Sequence, residues 1–220
     1  MKRIMLICVI IGLCTLITAS ARAQSDISWG VKAGASIANI HGDDWGDSDS
    51  LIGLVGGLFV QVPVVEGFSV QPELLLSMKG SKADYRPFYL ATEKDSLVYL
   101  EAPVLAKGTF PAGDRVGVSL FGGPSFGLLV SATYKLTGPE ADLLAADLGI
   151  PTEGNLEDVG AEMADFELGL VLGGGLEYRL ARGSLVFDLR YTLGLTNVMD
   201  MQPAIDAKNG VFAVMTGYTF

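Results

Sequence analysis

From residue 27 to the end, apolar and polar residues alternate with a period of two in eight separate stretches. Such alternation places successive side chains on opposite faces of an extended strand. The stretches are 27–40, 51–62, 68–79, 97–110, 116–134, 166–180, 184–198 and 210–220. None carries a sustained helical period. The segments between them alternate in length. Those at 63–67, 111–115 and 181–183 are short, and those at 41–50, 80–96, 135–165 and 199–209 are longer. Short turns on one side and long loops on the other fit an even-stranded antiparallel barrel with both termini at the short-turn end.

Charge sharpens this pattern. Ten charged residues fall inside the predicted strands: Lys32, Glu73, Lys79, Glu101, Lys107, Glu167, Glu177, Arg179, Asp188 and Arg190. Within each strand they share one parity, so they point to one face. The opposite parity is apolar, as with Phe68, Val70, Leu74, Leu76 and Met78 in the third stretch. Charges facing lipid are expensive, so the apolar face belongs outside and the charged face inside. Five acids and five bases predict an interior of paired charges, since an eight-stranded barrel is narrow enough for side chains to fill. The expected fold is all-β, an eight-stranded antiparallel up-and-down transmembrane β-barrel. A soluble sheet or a lipocalin-like periplasmic barrel would place the apolar face inward, and a narrow pore would need a wet path past the ten charges.

Trp29, Phe68, Phe110, Tyr178, Phe187, Tyr218 and Phe220 share the apolar parity and lie near the short-turn ends, as in an interfacial aromatic girdle. Tyr134, Phe166 and Phe212 fit the opposite interface. Pro72, Pro103 and Pro124 each remove a ladder donor, so bulges or breaks are expected beside them. The glycines at 53, 56, 57, 122, 123, 127 and 173–175 suggest tight curvature or crowding.

The first residues read differently. Lys2 and Arg3 precede an apolar run over 4–17, and Ala21-Arg22-Ala23 forms a cleavage triplet before Gln24. That is the pattern of a secretory signal peptide over residues 1–23, too short for a comfortable membrane anchor. The barrel domain would then occupy 24–220. Cys8 and Cys14 both lie in this segment, so the mature chain would have no disulfide or thiolate chemistry. Formal charge is −10 for the whole chain. Without the segment it becomes 12 basic against 25 acidic residues, or −13. A nucleic-acid partner is therefore not expected.

These motifs resemble the PorT-like family of outer-membrane β-barrels found in Bacteroidota-type bacteria. The resemblance is carried by Gly30-Val-Lys-Ala-Gly34, Gln71-Pro-Glu-Leu-Leu75 with Lys79-Gly80, and Tyr99-Leu-Glu-Ala-Pro103 with Lys107. Gly122-Gly-Pro-Ser-Phe-Gly127, Asp165-Phe166 with Gly173–Gly175, and Arg190-Tyr-Thr-Leu-Gly-Leu-Thr-Asn197 extend it over nearly the whole mature chain. It implies a fold, an outer-membrane location in a Gram-negative cell and contact with outer-membrane lipid. It also implies a link to secretion or envelope assembly. The ending Tyr218-Thr-Phe220 resembles the aromatic signal read by the barrel-assembly machinery, although Met215 stands where that signal has glycine.

Little points to catalysis or a cofactor. Gly123-Pro-Ser-Phe-Gly127 matches G-x-S-x-G, but a nucleophile elbow needs a strand-to-helix turn and a histidine. Ser125 falls within an apolar strand, and His41 is the chain's lone histidine. That lone histidine also gives little support to a membrane lipid hydrolase. Asp43, Asp44, Asp47 and Asp49 are weak calcium candidates, because their spacing matches no defined calcium loop. Acid also dominates 140–165, where a short helix over 139–148 would put Leu143, Leu144 and Leu148 on one face, capping the barrel or meeting a partner. The expected role is non-enzymatic, structural or interactive, for a monomer whose surface partner is unidentified.

Overall fold

The alternation is realised as strands that each present a polar and an apolar side. The structure is a computed structural model that describes residues 27–41, 49–161, 163–198 and 207–220. Residues 1–23, expected as a signal segment, and Asp43, Asp44 and Asp47 lie outside the described residues; Asp49 is described only as the backbone opening the second strand.

Among the described residues there are nine strands: β1 (Ser28–His41), β2 (Asp49–Val65), β3 (Phe68–Asp84), β4 (Thr92–Pro111), β5 (Val116–Thr137), β6 (Glu153–Asn155), β7 (Phe166–Arg179), β8 (Ser184–Gly194) and β9 (Lys208–Thr219). One helix, α1 (Ala141–Leu148), and a 3-10 turn (Glu157–Val159) complete the described elements. Eight strands form the barrel, in the order β4-β3-β2-β1-β9-β8-β7-β5, with β5 pairing back onto β4. Every pairing is antiparallel. β6 is an addition to β5, beyond the point where β5 parts from β7.

β8 shows the two faces most simply. Leu185, Phe187, Leu189, Tyr191 and Leu193 are exposed, while Val186, Asp188, Arg190 and Thr192 are buried. In a barrel this means an apolar exterior and a polar interior, the inverse of a soluble sheet.

The strands run further than their apolar stretches. The 80–96 segment, expected as one long loop, continues the β3–β4 ladder to Asp84↔Thr92 and leaves only 85–91 as the turn. Ladder hydrogen bonds need backbone alone, so polar residues extend a hairpin that leaves no apolar alternation to read. The ladders skip two positions beside Pro72 and beside Pro103, without a change of register. The missing N–H groups break the pairing there but insert no extra residue. A bulge does occur where Val98↔Ser131 follows Tyr99↔Leu129, leaving Val130 unpaired.

That bulge corrects one expectation. An extra residue reverses the side-chain parity beyond it. Tyr134, expected at an interface with lipid, is instead buried inside with Ala132 and Leu136. α1 also departs from the expected single leucine face, because Leu144 is buried whereas Leu143 and Leu148 are exposed.

Candidate functional site

The inward parity of five strands gathers charges distant in sequence into two buried clusters. Glu73 of β3 is the hub of the first. Its carboxylate accepts from Lys32 of β1 at 2.8 Å, from Arg190 of β8 at 2.7 Å, and from Gln71 at 2.7 Å. Lys32 also donates to Asp188 at 2.7 Å, and Arg190 pairs with Asp188 at 3.1 Å. On the other side of Gln71, Lys107 donates to its side-chain oxygen at 3.3 Å and pairs with Glu177. The second cluster is centred on Lys79, held by Glu101 at 2.6 Å and Glu167 at 2.7 Å. Asn209 of β9 donates to the remaining Glu167 oxygen at 2.7 Å.

Each central cation also lies over an aromatic ring. Lys32 is 4.7 Å from the Phe59 centroid, Lys79 is 4.9 Å from that of Tyr99, and Arg190 is 5.3 Å from that of Phe121. Such contacts gain strength where water is excluded. Glycines make room for two of the rings. A Cβ on Gly30 would lie 2.5 Å from the Phe59 ring, and one on Gly173 would lie 2.5 Å from that of Phe121.

Between the clusters is a void of about 10 Å³ that Lys79, Glu101, Arg190 and Thr192 help to line. That is near the minimum for one water molecule. Arg190 borders it, and its Nε has no hydrogen-bond partner among the described residues. At the loop end the interior turns apolar. Leu156, Val159, Ala161 and Met163 pack with Leu97, Tyr99, Ala132 and Tyr134, and Tyr99 is the ring on which Lys79 of the second cluster rests.

Nine of the ten charges singled out in the sequence therefore meet in the interior. Arg179 does not; it ends β7 at the turn and is exposed. These nine comprise four cations and five carboxylates, so among them the expected balance becomes one net negative charge. Gln71 and Asn209 complete the network. Gln71 shares the parity of Glu73 and was legible on that ground, while Asn209 lay in a stretch read as loop. Phe59 and Phe121 sit on strands with no interior charge, so parity had nothing to register against.

The aromatic set lies where the barrel meets its turns. Trp29, Phe68, Phe110, Tyr178, Phe187 and Phe220 are exposed on the outer wall, and Tyr218 is half-buried. Trp29 stacks on Phe220 with centroids 4.3 Å apart, and Phe68 meets Phe110 edge-on at 6.2 Å. Ser125 is buried in mid-strand, paired with both Pro103 and Gly169, away from any strand-to-helix turn. Among the described residues no cluster of histidine, cysteine or carboxylate side chains could hold a metal ion.

A closed antiparallel barrel, apolar outside and filled with paired charge, defines a membrane β-barrel of the outer-membrane class. The chain belongs to the outer membrane protein beta-barrel domain family, which matches residues 22–200. Among solved structures it is similar to Neisserial surface protein A, at 13% identity over 89% of this chain and 100% of that one, with a TM-score of 0.50. A major outer membrane protein of Thermus thermophilus is 17% identical over 89% and 100% of the chains, with a TM-score of 0.48. Ail of Yersinia pestis, solved with the heparin analogue sucrose octasulfate, is 14% identical over 89% and 100%, with a TM-score of 0.43. At these identities the likeness to the Neisserial protein is one of fold. No curated protein sequence matches the chain.

Proposed function

We propose that this protein is a closed, non-enzymatic barrel whose acidic loop end faces outside the cell and contacts a partner. One observation carries the reading: two ion clusters and, at the loop end, an apolar cluster fill the interior, leaving a central void of about 10 Å³. A hydrated ion has no through path in that arrangement, and the surface left for function is at the loops. The short-turn end, with both termini of the barrel and the Trp29–Phe220 stack, faces the periplasm in this reading. Residues 1–23 are removed on export, Phe220 is read during assembly, and the mature domain of 24–220 works as a monomer in outer-membrane lipid. The motifs shared with the PorT-like family support a role near secretion or envelope assembly.

The test is conductance of the purified, folded barrel in a planar bilayer. The expected result is no stepwise current above the bare membrane. Discrete channels that persist in protein whose heat-dependent gel shift verifies folding would make it a narrow pore instead. Mass spectrometry of the mature chain should place its N-terminus at Gln24.

A further inference from the structure

At the loop end, two elements are locked into one raised surface. Above the apolar belt, the outward positions change from Met78, Val98 and Val130 to Lys82, Ser96 and Lys135, while the β3–β4–β5 ladders continue. From Val98 to Thr92 the strand climbs about 20 Å, or about 15 Å in height at a tilt near 40°. The 85–91 turn therefore stands clear of the hydrocarbon.

There the turn clasps α1 at two points. The Leu90 N–H donates to Glu140 Oε2 at 2.7 Å, and the Tyr89 hydroxyl donates to Asp147 Oδ2 at 2.8 Å. Beneath them Ala91, Leu136, Ala141, Leu144 and Ala145 form a buried core. Positions 140, 143 and 147 share one side of a helix, so the two clasps bracket Leu143. Beside this pinned backbone, Phe88 is 86% exposed, Leu143 62% and Leu90 54%. Large apolar side chains held outward on a packed support, away from lipid, mark an interaction site.

Charge identifies the occupant. The described residues of 135–165 include seven carboxylates and one cation, Lys135, which is itself paired with Glu153 at 2.7 Å. Lys82 and Lys94 face each other on the hairpin wall below the turn. We propose that the Phe88–Leu90–Leu143 surface binds a cationic polypeptide segment that inserts an apolar anchor beside Glu140, Asp142 and Asp147. A second copy of a chain with formal charge −10 would be repelled. The proposal rests on the reading of the loop end as an interaction surface.

The experiment titrates the full barrel, in zwitterionic lipid nanodiscs, with a leucine–lysine helical peptide, its leucine–glutamate counterpart and polylysine. Empty nanodiscs supply the baseline. The leucine–lysine peptide should bind above baseline and the other two much more weakly. The Phe88→Ser/Leu143→Ser double variant should weaken binding about tenfold, as should Asp142→Asn/Asp147→Asn. All four positions are exposed at the surface, and an unchanged heat-dependent gel shift verifies folding. Equal binding by the double variant, or polylysine binding as tightly as the leucine–lysine peptide, would overturn the proposal. So would sedimentation as a dimer through this face. Lost peptide binding with an electrically closed barrel condemns only the partner class, whereas conductance with peptide binding intact condemns the closed-barrel reading alone.

Discussion

Glu73 is one of two acids that Lys32 and Arg190 share, and the one that Gln71 also contacts. Its replacement by glutamine keeps the side-chain shape but leaves Lys32 and Arg190 with Asp188 as their remaining carboxylate. Removing one partner of a buried ionic pair costs about 3–5 kcal/mol. Glu73→Gln should lower the urea midpoint accordingly in vesicle-embedded barrel. Arg179→Gln, exposed at the β7 end, should stay within about 0.5 kcal/mol of the parent; equal effects would refute the hub. Gly173 sets a second residue-scale limit. A methyl there would meet both the Phe121 ring and the Leu189 carbonyl at 2.5 Å. Gly173→Ala should cost about 1–3 kcal/mol through overpacking. Adding Phe121→Ala should relieve the ring clash but not the carbonyl clash, giving a non-additive cycle.

At the scale of elements, the β3–β4–β5 extension and its bulge determine what the loop end looks like. The bulge at Val130 turns Tyr134 and Leu136 inward, where they meet the loop-end apolar cluster and α1. The turn above carries a titratable reporter. The Tyr85 phenol is held above its ordinary range, first by burial and then by the Glu93 carboxylate that accepts its proton at 2.6 Å. A raised folded pKa stabilises this turn fully below the usual tyrosine value near ~10. That contribution is lost as pH rises through the folded value. Ultraviolet titration of Glu93→Gln against the parent should therefore show one tyrosine moving earlier. A titration unchanged by Glu93→Gln would show that the carboxylate has no hold on the phenol.

For the whole molecule, closure of the sheet isolates the interior from both solvents. The side chains of Lys32, Lys79 and Lys107 are 1–2% exposed, whereas that of Lys135 is 61% exposed. An amine-reactive label should modify Lys135 in the folded barrel and spare the three interior lysines, as read by peptide mass spectrometry. Labelling of all four at similar rates would reveal a wet path through the clusters. Unfolding in urea should expose the three together, because they belong to one closed wall.

The chain by itself determined the eight-stranded wall and which side of each strand is polar. Period-two alternation is a local property, and a charge in a lipid-bound strand registers the parity of its neighbours. Lys32, Glu73, Asp188 and Arg190 were legible as interior residues on that ground alone. Their partnerships were not. Lys32 reaches Glu73 across 41 positions and Asp188 across 156, while Arg190 reaches Glu73 across 117. Strand order, register and barrel curvature decide such meetings, and each depends on the whole closed sheet. The same holds for Arg179, whose parity matched the interior but whose height placed it at the rim. It holds also for Tyr134, reversed by one unpaired residue. Parity is written residue by residue, whereas depth and pairing exist only once the wall has closed.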